Sequence, residues 1–354
     1  MAIELNPGVA SALKTGQVIP AHPLVLDANR KLDERRQRAL SRYYIDAGAG
    51  GLAVGVHTTQ FEIREPEFGL YEPVLRLAHE VMTEAAPDGF VKVAGISGKT
   101  GQAVGEASLA RDIGYDIGLV SLAAMKDADE AQMIAHCKSV AEVIPVMGFY
   151  LQPAVGGRIL PFSFWRKFAE IEGVVAIKMA PFNRYQTIDV LRGVAESGRA
   201  DQISLYTGND DNIVVDLLTR FQFATDSGPV VLEFSGGLLG HWAVWTHQVV
   251  DQLKQCQEIK SKTAGVPEGM LTLASEVTDC NAAFFDVAHG FAGCIAGIHE
   301  VLRRQGLMEG TWCLNPDEGL SSGQLEEIER VYAAYPHLND DEFVRENLDR
   351  WLNG

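Results

Sequence analysis

The feature that most constrains the fold is an eightfold alternation, in which short apolar, β-branched runs are each followed by a longer amphipathic run. The short runs are Val18 to Leu24, Leu52 to Val56, Val91 to Ile96, Ile117 to Leu122, Val146 to Leu151, Val174 to Met179, Ile203 to Thr207 and Val230 to Phe234. Several are apolar at consecutive positions, which suits strands buried on both faces of a parallel sheet. Helical patterning follows over Asp33 to Ala47, Phe68 to Ala85, Ala103 to Ile113, Asp129 to Val143, Ser163 to Glu170, Thr187 to Ser197, Asn212 to Phe221 and His241 to Ile259. Asp33 suits an N-cap, and Gly48 closes the first of these helices. Eight strand–helix units imply an α/β fold, and they close naturally into a (β/α)8 barrel, with a doubly wound open sheet as the competitor. From about Ser261 the pattern is helical, with a loop at Asn315 to Gln324. The expected layout is a catalytic barrel over 1–260 and a C-terminal helical extension over 261–354 packed on it.

Composition narrows the partners. A net charge of −17 argues against nucleic acid and anionic membrane as partners. It leaves room for an anionic small molecule, because a pocket can be locally basic. No apolar run approaches a membrane span. Met1 to Gly16 lacks the basic segment and apolar core of a signal peptide. The five cysteines are scattered and show no zinc spacing, so reduced thiols and a cytoplasmic location are expected.

In such barrels the chemistry gathers at the C-terminal strand ends. Those ends carry His57-Thr58-Thr59-Gln60, Tyr150, Lys178, Gly208-Asn209-Asp210-Asp211 and Ser235-Gly236-Gly237. Lys178 is the most informative, because it interrupts the apolar run Val174 to Ala180. Burial disfavours the ammonium form, and a neutral amine can attack a carbonyl to form an imine. The plain alternative is a strand-end lysine that reaches solvent or a carboxylate. Tyr150 could relay protons beside such a lysine, although a lone tyrosine is more often a core residue. Thr58 and Thr59 could hold a carboxylate or simply end the strand.

Together these residues resemble the dihydrodipicolinate synthase / N-acetylneuraminate lyase superfamily of class I aldolases. Thr58-Thr59 match its threonine turn, with His57 in place of glycine. Gly48 to Leu52 and Ala94 to Gly98 match its flanking patterns, and Gly208-Asn209-Asp210 is similar to its Gly-Asp-Asp. Tyr150 and Lys178 lie 28 positions apart (178 − 150), the family spacing. The resemblance runs from about Val18 to Val250. It implies that Lys178 forms a Schiff base with a 2-keto acid such as pyruvate, that Tyr150 relays protons, that Thr58 passes them on and that Thr59 binds the carboxylate. It also implies a homo-oligomer, dimer or tetramer, that needs no cofactor or metal.

The departures fall on the acceptor side. Val155 stands where the synthase has an arginine, with Arg158 nearby, and Ala123-Ala124-Met125 replaces a tyrosine pair. The lysine-biosynthetic reaction is therefore not expected. Candidate contacts for a second substrate are His57, Gln152, His241 and Trp242, and Gly208 and Ser235 are further candidate substrate-binding positions. The expected activity is a carbon–carbon lyase or aldolase. A keto-deoxy sugar-acid dehydratase and a barrel that binds without turnover are the alternatives. Gly98-Lys99-Thr100 fails as a phosphate loop because Val93 stands where the upstream glycine is required. Asp286 and His289 read as surface or core packing outside the barrel.

Overall fold

The consecutive apolar runs become strands buried on both faces of one parallel sheet. In the computed structural model these are β1 (Val18–Pro20), β2 (Gly51–Val54), β3 (Val91–Ile96), β4 (Ile117–Val120), β5 (Val146–Tyr150), β6 (Val174–Met179) and β7 (Ser204–Thr207). After an antiparallel hairpin, β8 (Arg220–Thr225) with β9 (Gly228–Glu233), comes β10 (Gly236–Leu239). The parallel order is β1-β10-β7-β6-β5-β4-β3-β2, and a bridge between Ala21 and Ala53 completes the ring. The structure describes residues 3–262 and 265–354. Met1 and Ala2, in the stretch read for a signal peptide, and Thr263 and Ala264 of the expected extension lie outside the described residues.

One helix was not expected. α1 (Pro7–Thr15) is started by the Asn6 side chain, which accepts from Gly8 N–H, and by proline in the first turn. Its Val9 and Leu13 pack with Ile19 and Val91 beneath the barrel, and Tyr206 donates its hydroxyl to the Leu13 carbonyl at 3.1 Å. This helix closes the N-terminal mouth.

The ring helices are α2 (Glu34–Asp46), α3 (Tyr71–Ala85), α4 (Thr100–Ile113), α5 (Glu130–Ala141), α6 (Phe162–Ala169), α7 (Arg184–Glu196), α8 (Ile213–Leu218) and α9 (Thr246–Ser261). They cover the outer face of the strands, while Met147, Phe149, Ala176 and Leu238 fill the interior. Beyond the barrel follow α10 (Glu268–Phe284), α11 (Cys294–Arg304), α12 (Gln324–Ala334) and α13 (Asp341–Asn353). α10 packs on α8 and α13 on α2. No helix among the described residues is long and apolar enough to cross a membrane.

The eighth strand differs from expectation. Val230 to Phe234 falls mainly in a half-exposed hairpin, and the barrel strand is the glycine-rich segment after it. Two glycines hid its apolar signal. Gly237 is required there, because a Cβ would stand 2.6 Å from the buried Trp242 ring. The helix expected to run to Phe221 stops at Leu218, and Phe221 enters the hairpin. The shift moves Ser235 to the N-terminal end of β10, where its N–H donates to Leu205 C=O. Ser235 is therefore at the opposite mouth from Lys178 and does not serve as a substrate contact.

Candidate active site

Lys178 occupies the fifth position of β6, its side chain directed inward with those of Ala176 and Ala180. It lines a pocket at the C-terminal mouth with a cavity volume of about 50 Å³. The lysine is 6% exposed, and no carboxylate lies within 4 Å of its Nζ among the described residues. Gly208 accommodates it: a Cβ there would lie 2.6 Å from the lysine Cε. Gly208 thus positions the lysine stem.

The nearest acid is Asp210, from the loop after β7, which lines the same pocket. Its Oδ1 accepts the backbone N–H of His241 at 2.9 Å. Burial lowers the Lys178 pKa, opposed by the charge of Asp210. Burial likewise raises the Asp210 pKa, opposed by the His241 N–H and by Lys178. Both groups are pushed toward their neutral forms, the lysine to about 8 and the acid to about 7, so a proton can pass between them at little cost. The loop is held by Asp216, which accepts from Thr207 Oγ1 at 2.8 Å, Asn209 Nδ2 at 2.8 Å and Arg184 at 2.6 Å.

The turn after β2 supplies the opposite wall. His57 lines the pocket, and burial followed by the nearby Lys178 charge holds its pKa down to about 4. It is therefore neutral at ordinary pH. Thr58 also lines the pocket and donates to the Ala21 carbonyl at 2.8 Å. Thr59 does not. Its hydroxyl donates to His22 C=O and accepts from the N–H groups of Gly55 and Val56. One donor and two acceptors exhaust a hydroxyl, so Thr59 clamps the turn and is not free to bind a carboxylate. Arg64 fixes the turn from outside, donating to Gly55 C=O and Gly95 C=O and pairing with buried Glu106 at 3.1 Å.

Tyr150 is a second correction. The β5–β6 register slips by one residue: Val146 pairs with Val174, but Met147 pairs with Ala176. The offset changes from 28 (174 − 146) to 29 (176 − 147), so the partner of Lys178 is Phe149. A slip of one exchanges the two faces of a strand. Phe149 therefore lines the pocket, and Tyr150 points into the helix layer against Trp165, with ring centroids 5.2 Å apart. The Tyr150 hydroxyl accepts Leu160 N–H at 3.1 Å.

Of the remaining expected contacts, Gln152 lines the pocket, and its Oε1 accepts from Ala154 N–H. His241 contributes its backbone rather than its ring, which is buried and stacked on Phe284 at 5.7 Å. Trp242 is buried beneath Gly237.

Sequence reasoning missed the roof. Phe182 follows β6, and Phe285, Phe291 and Cys294 come from the C-terminal segment. Phe182, Asp286 and Phe291 have φ of +51°, +54° and +73°, strained values for such residues that neighbouring bonds must enforce. The Asp286 carboxylate accepts from His289 at 2.6 Å, Gly293 N–H at 2.9 Å and Ser321 at 2.5 Å. The Asp286–His289 pair is thus the knot of the roof loop, not mere surface packing.

Fold and pocket together define a parallel α/β-barrel with a buried, solvent-reachable lysine among apolar walls. The chain belongs to the dihydrodipicolinate synthetase family, whose model matches residues 14–220. Solved structures share the fold over nearly their whole lengths. Dihydrodipicolinate synthase from Oceanobacillus iheyensis is similar at TM-score 0.72 and 16% identity, covering 93% of this chain and 99% of its own. N-acetylneuraminate lyase from Fusobacterium nucleatum, complexed with pyruvate, gives 0.69 and 15%, with 92% and 98% covered. An E. coli K12 prophage protein of the dihydrodipicolinic acid synthase family, in complex with pyruvate, gives 0.72 and 19%, with 92% and 99% covered. No curated protein matches the sequence.

Proposed function

We propose that the protein is a Schiff-base-forming lyase or aldolase acting on a pyruvate-type 2-keto acid through Lys178. The observation that carries this reading is the lysine amine, buried at the base of a mostly apolar pocket with no carboxylate within 4 Å among the described residues. The family and the pyruvate held by two structural neighbours agree with it.

The neutral amine attacks the keto carbon, and the resulting carbinolamine must lose water. In this chain Asp210 takes the proton-transfer role that the family spacing suggested for Tyr150. Protonated Asp210 donates to the departing hydroxyl, and the carboxylate left behind faces the iminium. Removing a C3 proton then gives the enamine, with Asp210 or neutral His57 as acceptor. The turn at His57 and Thr58 is the proposed seat of the substrate carboxylate. General acid–base catalysis of this kind contributes about 10²–10⁴-fold.

Borohydride reduction in the presence of pyruvate tests the reading. A stable adduct on Lys178, absent from Lys178→Ala, is expected by peptide mass spectrometry. No adduct with pyruvate or any longer 2-keto acid would leave a barrel that binds without bond making.

A further inference from the structure

Beyond Phe149, which faces Lys178, three more aromatic rings line the pocket. Phe182 and Phe291 meet edge to face, with centroids 5.8 Å apart at 66°. Phe285 adds a third ring, and Leu151 and Val155 complete the apolar wall.

Cationic groups are lacking there. Among the described pocket residues Lys178 is the only cation, and it is committed to the keto acid. Arg158, the arginine nearest along the chain, turns away and spends one guanidinium nitrogen on the carbonyls of Met125, Lys126 and Ala128 at 2.6–3.1 Å. Arg184 is drawn to Asp216 and Asp211. A phosphate or second carboxylate in this pocket would find no counter-charge besides Lys178, which has Asp210 for a neighbour. A polyhydroxylated chain fares little better. Thr58 already donates to Ala21, and burial holds the Cys294 thiol protonated, which leaves mainly Asp210, Gln152 and His57 as partners. Unpaired hydroxyls against aromatic walls lose their hydration without replacement.

We infer that the second substrate is an uncharged aromatic aldehyde seated between Phe182, Phe285 and Phe291. The inference rests on the keto-acid reading and supplies its missing half. The enamine C3, having lost a proton, attacks the aldehyde carbon. The carbonyl π pair moves onto the aldehyde oxygen, which takes up a proton. Water then hydrolyses the iminium, releasing a 4-aryl-4-hydroxy-2-keto acid and the free lysine. Cleavage is the same sequence reversed.

The test uses the full chain. Borohydride trapping with pyruvate alone comes first and examines only the keto-acid half. Turnover is then measured by chromatography and mass spectrometry with pyruvate and, separately, benzaldehyde, glyceraldehyde, glyceraldehyde 3-phosphate and succinic semialdehyde. The expected result is a kcat/KM for benzaldehyde about 100-fold or more above each of the others. Successful trapping with any hydroxylated, phosphorylated or carboxylated aldehyde preferred, or with no aldehyde consumed, overturns the inference and spares the imine. Failure to trap overturns both. Val155→Arg, on the half-buried rim, should shift the preference toward succinic semialdehyde by about tenfold. An unchanged ratio in a folded variant that still traps pyruvate would remove the apolar lining as the source of selectivity.

Discussion

Phe149 and Lys178 are register partners across β5 and β6, and the lysine Nζ sits 4.4 Å from the centroid of the phenylalanine ring. A ring face attracts an ammonium or an iminium, by about 0.5–2 kcal/mol depending on desolvation. It has no proton to give. On the proposed Schiff-base reading, this ring stabilises the positive intermediate, and its proton transfers fall to Asp210 and His57.

Tyr150→Phe should leave borohydride trapping unchanged, because the hydroxyl lies in the helix layer. Stability should fall by about 1–3 kcal/mol, since Leu160 N–H loses its buried acceptor. Urea denaturation and trapping rate separate the two effects. A trapping rate that collapses in a folded protein would return Tyr150 to the chemistry.

Asp210→Asn keeps an acceptor for His241 N–H but removes the acid and its charge. That charge raises the Lys178 pKa, so its loss should move the midpoint of lysine reactivity to lower pH. At neutral pH, imine formation should slow by about 10²–10⁴-fold for want of a proton donor. Trapping rates measured across pH in both proteins check this. An unchanged midpoint and rate would exclude Asp210 from the relay.

His241→Phe tests a residue whose ring is expected to do no chemistry. The substitution retains the backbone N–H that Asp210 accepts, so pyruvate trapping should persist. Burial holds the wild-type imidazole pKa near 4, against an ordinary value of 6.5. Between those values the unfolded chain binds a proton that the folded one refuses. Stability contributed by this group is therefore present above pH 6.5 and lost as pH falls toward 4. The variant should lose about 1.4 kcal/mol per pH unit less across that window, read from denaturation curves at several pH values. Parallel slopes would show that the ring is not buried neutral.

Glu106→Gln should be the most damaging of these changes outside the pocket. Glu106 accepts from Arg64, Ser97 N–H and Gln102, and Arg64 in turn holds the carbonyls at Gly55 and Gly95. Breaking a buried pair on one side costs about 3–5 kcal/mol. The turn bearing His57 and Thr58 should loosen with it, so that KM for pyruvate rises more than kcat falls. A stable variant with unaltered KM would show that the turn does not depend on this clamp.

The barrel was legible because β2 to β7 bury both faces and write that directly into consecutive apolar residues. Lys178 stood out against such a run for the same reason. Tyr150 was misread because spacing records chain length and not register, and the slip between Val146 and Met147 leaves no mark in composition. β10 was displaced by a hairpin whose Val230-Val231-Leu232 looks more strand-like than Gly236-Gly237 does. Asp210 lay within the matched Gly208-Asn209-Asp210, yet only burial beside Lys178 singles it out. Phe285, Phe291 and Cys294 carry no local signal, because their role arises from contacts distant along the chain, as between Phe291 and Phe182.

That distance bears on how the molecule comes into being. Leu314 N–H donates to Gln60 Oε1 at 2.6 Å, tying the C-terminal segment to the turn that carries His57 and Thr58. During synthesis all the barrel strands emerge before the segment that covers them. A nascent chain that has reached α9 already owns its lysine but has no lid, and its apolar mouth is open to water and to other chains. Long loops close slowly, and exposed apolar surface in the interval invites misassembly. The final quarter of this polypeptide thus acts as a late-arriving seal, and its emergence marks the moment at which the nascent barrel becomes a reaction vessel.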